Sequence, residues 1–167
     1  MPLERSQAPA GETGGEVENE GEQVVTAAIY QALSDTYAWR FVPDLTVSDA
    51  VQGISPLDSD AQRAQALAKA VNADGVIFGS VWRYVERVGT AANAETPASV
   101  AFTLRLFSTS SGEVVWEDTF DETQETIGSS FLDWMLFWED PPHWMSAAEL
   151  THIGVDRMID ALRRSVD

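Results

Sequence analysis

Residues 75–88 read GVIFGSVWRYVERV, and residues 99–120 read SVAFTLRLFSTSSGEVVWEDTF. In the first stretch Val76, Phe78, Ser80, Trp82 and Tyr84 alternate with Ile77, Gly79, Val81, Arg83 and Val85. In the second, Val100, Phe102, Leu104 and Leu106 mark one side, Ser110, Ser111 and Gly112 supply a turn, and Val114, Trp116 and Phe120 follow. A period of two is the signature of a pleated strand with one buried face. The pattern predicts an antiparallel three-strand meander, with the Val76 to Tyr84 set on the inward face. The opposite face carries Arg83, Arg87, Thr103, Arg105, Glu117, Thr119 and Asp121 at one end and Ile77, Val81, Phe107 and Val115 at the other. One end of that face is therefore expected under a helix and the other in water. A tight turn sets Arg105 opposite Glu117, a pair worth about 0.2–1 kcal/mol that mainly fixes register.

Working outward, Val25, Ala28, Ile29, Ala32 and Leu33 form a helical stripe, predicting a helix over residues 20–35. Residues 39–42, an apolar run stopped by Pro43, read as a strand. Thr46 with Asp49 has capping-box form and predicts a short helix through Val51. Pro56 and Asp58 introduce a further helix with the stripe Ala64, Leu67, Ala68 and Val71, ended by Asn72, Ala73, Asp74 and Gly75. Ser146 and Glu149 form a full capping box before a last helix striped by Val155, Met158, Ile159, Leu162 and Val166. Crossing from the strand at 39–42 to the one at Gly75 makes parallel neighbours, so the fold expected is α+β, a mixed sheet containing the meander and flanked by helices.

The 167 residues form one domain over residues 19–167, with residues 1–18 as a flexible acidic leader. Cysteine is absent, which excludes disulfides, thiolate nucleophiles and sulfur-ligated metals. With 27 acidic against 10 basic residues the formal net charge is -17, a poor match for nucleic acid or for anionic lipid. Met1 to Ala10 contains neither a basic n-region nor an apolar h-region, and no uncharged run is long enough to span a bilayer.

Catalytic patterns are poor. Ser80 follows Gly79 but lacks the second glycine of a nucleophile elbow, and its place in the alternation reads as a packed small residue. His143 and His152, with Asp140 and Glu149 nearby, do not have the i, i+4 spacing that puts ligands on one helical face. The carboxylates Glu113, Glu117, Asp118, Asp121, Glu122 and Glu125 are dense, yet strand alternation spreads them over both faces, where Arg83, Arg87 and Arg105 can meet them. Asp118 alone points inward and needs a partner, a bulge or a sheet edge. No catalytic residue, metal or cofactor is expected, and the chain reads as non-enzymatic. The alternative kept open is an acidic metal-dependent hydrolase using carboxylates around Asp118.

Residues 131–144, FLDWMLFWEDPPHW, hold three of the chain's six tryptophans. Phe131, Trp134, Met135 and Trp138 share a helical face. The segment reads either as a lid over one end of the sheet or as a partner-binding surface, with Phe131, Trp134, Met135, Phe137, Trp138 and Trp144 as the candidate contacts.

From residue 66 to 81 the text ALAKAVNADGVIFGSV resembles the alanine-rich helix and following strand of bacterial envelope lipoproteins related to the curli secretion component CsgG and the penicillin-binding-protein activator LpoB. Residues 99–107 and 111–116 look like that group's hairpin, with its Ser-Gly-Glu turn and closing Trp116. The resemblance implies an α/β domain in the periplasm, tethered to the outer membrane where a lipidation signal precedes Met1. It also implies a non-catalytic role in assembly or regulation through binding other envelope proteins. The chain departs from the pattern in having no cysteine for the lipid and no strand before its first helix. An edge left open by that strand is a second candidate surface, for another protein or for self-association.

Overall fold

The computed structural model describes residues 14–34, 39–56, 58–124 and 143–166. Its elements are α1 (Gly14–Ser34), α2 (Asp44–Val51), α3 (Asp60–Val71), β1 (Gly75–Val85), β2 (Val88–Thr90), β3 (Asn93–Thr96), β4 (Ser99–Ser108), β5 (Val114–Thr123) and α4 (Ala147–Val166). The expected α+β class is what forms: a three-stranded antiparallel sheet of order β1-β4-β5, flanked by helices. The meander closes as read, Ser108 N donating to Glu113 O at 3.0 Å and Gly112 N to Ser108 O at 2.8 Å.

Residues 39–42 do not form a strand. Consequently no parallel pair exists among the described residues, where every ladder is antiparallel. Pro43 stands at the N-terminus of α2, and its carbonyl accepts from the amides of Thr46 and Val47. The helix therefore starts at Asp44, before the Thr46 expected to cap it, and no side chain caps it. Pro at a helix entry already holds a suitable φ, so the turn can begin earlier than the hydroxyl predicts. At the other end of the chain's helical set, α1 begins at Gly14 rather than near Glu20. Acidic residues toward a helix N-terminus meet the partial positive charge of unpaired amides, so the acidic run does not oppose helix there.

Two bulges decide which side chains enter the core. Val81 pairs with Phe102, but Arg83 pairs with Ala101, so Trp82 is an extra residue in β1. Such an insertion switches the alternation. Up to Val81, the odd-numbered residues Ile77 and Val81 join the main core, and beyond the bulge Tyr84 joins them. Sequence alternation had placed Val76, Phe78, Ser80 and Trp82 there. Instead Val76 and Phe78 pack with Phe107 beneath α3, Ser80 is exposed, and Trp82 is 60% exposed. A second shift, between Leu106 and Phe107, inserts Val115 into β5.

The main core gathers Val25, Ala28, Ala32 and Leu33 of α1 with Val100, Phe102, Leu104 and Phe120 of the sheet and Val155, Met158, Ile159 and Leu162 of α4. Each large apolar side chain buried this way contributes about 1.5–3 kcal/mol. Central strand β4 buries Val100, Phe102 and Leu104 of one face at 0% exposure and Ala101 and Thr103 of the other at 1% and 6%. The other face is half covered, though Val76 and Phe78 rather than the expected Ile77 and Val81 join Phe107 under the helix. Ala64, Leu67 and Ala68 of α3 cover Val76 and Phe107, while the far end presents the hydroxyl pairs Thr103–Thr119 (3.0 Å) and Ser99–Thr123 (2.6 Å).

α3 is held by local chemistry that the sequence announces only in part. Its N-cap is Ser59, in a capping box with Gln62, one residue beyond the expected Asp58. Its C-cap Asn72 is left-handed, φ 53°, and Ala73 N closes onto Ala68 O. The short β2–β3 hairpin, with Gly89 at φ +105°, occupies what reads from sequence as a plain loop.

Candidate functional site

Gln124, the residue after β5, is 6% exposed. Its amide donates to Ala98 O at 3.0 Å, fixing it beside the start of β4. Its side chain then reaches across the chain: Nε2 donates to His143 O at 3.1 Å, and Oε1 accepts from Met145 N at 2.7 Å. One side chain thus pins together the two ends that bracket residues 125–142. Between those bonds, Trp144 N donates to Ala91 O in the β2–β3 turn at 2.7 Å, and Arg87 Nη1 donates to Trp144 O at 2.9 Å. The segment at 143–145 has its His143 carbonyl, both Trp144 backbone groups and its Met145 amide met by three separate parts of the fold, as a partly buried segment requires.

The capping box read at Ser146 and Glu149 is present and does more than start α4. Glu149 Oε2 accepts from Ser146 N and Oγ at 2.7 and 2.9 Å, while Glu149 N donates back to Ser146 Oγ at 3.2 Å. Glu149 Oε1 lies 3.4 Å from His143 Nε2, and Oε2 lies 3.9 Å from Arg87 Nη1. The Ser146 amide, helped by the Ser146 hydroxyl and by His143, holds the Glu149 carboxyl below the usual range, against an opposing effect of partial burial. Glu86 completes the arrangement, its Oε2 accepting from Ala147 N at 3.0 Å.

Of the candidate contact residues, the structure describes Trp144, half-buried and tied through its backbone as above. Phe131, Trp134, Met135, Phe137 and Trp138 lie outside the described residues, as do Asp140 and Glu125. Glu86 and Gln124 were not singled out by sequence; nothing in a pattern of apolar spacing marks a polar residue whose partners are backbone groups far along the chain.

Two of the four carboxylates on β5 are met by arginines. Arg105 Nε meets Glu117 at 2.5 Å, as the register predicts, and Arg105 also reaches Asp60 of α3 at 3.5 Å. Arg83 pairs with Asp121. Asp118 follows the inward face, opposite Leu104, but β5 is an edge strand and the carboxylate is only half-buried. Its Oδ1 accepts from Thr119 N at 2.8 Å. The sheet edge is thus what accommodates an inward Asp. Among the described residues no group of three His, Asp or Glu side chains is arranged to hold a metal. Ser80, expected to pack in the apolar face, is exposed on the hydroxyl face across from Thr103. No helix among the described residues is long and apolar enough to cross a membrane.

The fold and this site define an α+β domain with a brace at the open end of its sheet. No protein-family model matches the sequence, and no curated protein is similar to it. Among solved structures it is similar to the C-terminal domain of LpoB from Salmonella enterica, 24% identical over 59% of this chain and 67% of that one, with a TM-score of 0.43. It is also similar to LpoB of E. coli, 23% identical over 59% of this chain and only 47% of that one, TM-score 0.41. Lipoprotein GNA1162 from Neisseria meningitidis is 16% identical over 70% of this chain and 82% of its own, TM-score 0.47. The fold itself rests on the strand pairing and packing described above.

Proposed function

We propose that this chain is a non-catalytic accessory module of the bacterial cell envelope that acts by binding other proteins, through a surface carried on residues 131–144. The observation that carries this reading is the brace at Gln124, which anchors both ends of an aromatic-rich stretch at a single place. Anchoring the ends lowers the entropy a partner must remove on binding, and Trp, Phe and Met side chains are the usual anchors of interfaces. Phe131, Trp134, Met135, Phe137, Trp138 and Trp144 are the residues proposed to contact the partner. Placement in the periplasm, with an outer-membrane tether where a lipidation signal precedes Met1, rests on the sequence resemblance.

The test is cross-linking of the full chain in envelope extracts, with captured proteins identified by mass spectrometry, beside the Trp134→Ala/Trp138→Ala variant. Capture of a defined envelope protein that the variant loses while keeping its thermal midpoint is the expected result. Equal capture by both chains would remove the aromatic segment from the proposal. The coding sequence upstream of Met1 tests the compartment: a signal peptide followed by a lipidation motif is expected there.

A further inference from the structure

We propose that the outer edge of β1, from Gly75 to Trp82, takes an added β-strand from a different protein: an extended segment with an apolar face and with Lys or Arg flanking it at both ends. This deepens the reading of the chain as a protein-binding module by naming a second contact and its chemistry. The two edges of the sheet are unlike. β5 carries Glu117, Asp118, Asp121 and Glu122, the charged protection by which an edge repels other strands. β1 has no charge from Gly75 to Trp82, and no proline. Its one charged residue, Arg83, is already paired with Asp121. Among the described residues β1 has β4 as its sole ladder partner, and no described strand meets the backbone groups of its other side.

Trp82 marks this edge a second time. At the bulge its indole Nε1 folds back to donate to Ser80 O at 2.8 Å, yet the side chain stays 60% exposed, with Val85 and Val88 exposed beyond it at 44% and 53%. The indole bond takes the Ser80 carbonyl, so an added strand must displace it to pair there, and the bulge bounds the open part of the edge at Val81.

Charge selects the occupant. Exposed Asp74 stands at one end of the strip. At the other, exposed Glu86 follows directly on the end of β1. Basic flanks complement both ends. A second copy of this chain brings instead a formal charge of -17 against -17, which opposes edge-to-edge pairing with itself.

The experiment uses the full chain and a synthetic peptide of alternating Val and Thr with paired Lys at both ends, compared with the same peptide flanked by Glu and with one N-methylated on alternate amides. Hydrogen exchange by residue is the readout. The Lys-flanked peptide is expected to protect amides of residues 75–82 and leave 114–123 unchanged, with binding at least about tenfold tighter than either control and weakened by salt. Protection at 114–123 instead, equal binding by the N-methylated peptide, or no protection by any peptide would overturn the proposal. So would a concentration-dependent dimer that protects 75–82 without peptide, since the occupant is then a second copy. Intact peptide binding in the Trp134→Ala/Trp138→Ala variant separates this edge from the aromatic segment, so either reading can fail alone.

Discussion

Gly154 of α4 lies against the ring of Phe120 in β5, so close that a Cβ at residue 154 would stand 2.7 Å from both Cγ and Cδ1 of that ring. Phe120 is itself 5% exposed and packs on Phe102, ring centroids 5.4 Å apart, so it has no room to retreat. This contact sets how near the last helix approaches the sheet.

Gly154→Ala is therefore expected to destabilise. Alanine in a helix normally gains up to about 1 kcal/mol over glycine. Overpacking a filled core costs about 1–3 kcal/mol, and here the neighbour is a rigid ring in a braced position. Chemical denaturation is the measurement. Phe120→Leu in the same chain should recover part of the loss, and the coupling in a double-mutant cycle reports the contact itself.

Replacing Gln124 by Met keeps volume and removes both polar contacts. Leaving His143 O and Met145 N without their partner costs about 1–3 kcal/mol for each group that stays buried. Amides at 143–146 should lose exchange protection before the sheet does. Gln124→Glu retains the acceptor for Met145 N but loses the donor to His143 O, so it should fall between wild type and Gln124→Met.

Acid should loosen the start of α4 as pH falls below the ordinary carboxylate range. The Glu149 carboxyl has its pKa held down in the folded chain, chiefly by the Ser146 amide. A depressed carboxylate contributes stability that is present above its ordinary pKa and is lost as pH falls through the folded value. The acid limb of a stability–pH profile should accordingly be shallower in Glu149→Gln than in wild type, and at neutral pH the variant should already be weaker.

Arg105 and Glu117 should show a small coupling, about 0.2–1 kcal/mol, because both side chains remain partly exposed. Arg105 also reaches Asp60, so Arg105→Ala should cost more than Glu117→Ala, and the excess should fall with added salt. A double-mutant cycle at low and high salt measures both.

How much of this was readable in the chain varies by element. Helix stripes such as Ala64, Leu67 and Ala68, or Val155, Met158, Ile159 and Leu162, appear in the core as their spacing requires, because helical periodicity survives small errors in end points. Register was readable where a turn fixed it: Arg105 faces Glu117 across β4 and β5. The face of β1 was not, because a single bulged residue at Trp82 reverses parity, and alternation cannot show where an extra residue sits. Residues 39–42, with Trp39, Phe41 and Val42, looked like a strand, yet strand formation depends on a neighbour to receive the hydrogen bonds, and among the described residues none pairs with them.

Sequence by itself determined the meander, the helix stripes, the capping box at Ser146 and Glu149, and the acidic balance that disfavours nucleic acid. These depend on local spacing and composition. Only tertiary structure decided that Gln124 braces residues 143–145, that Asp118 finds its place on an edge strand, that Gly154 meets Phe120, and that β1 is left with an uncharged edge. Each of those joins residues distant along the chain through directional bonds or hard contacts, which no one-dimensional period records.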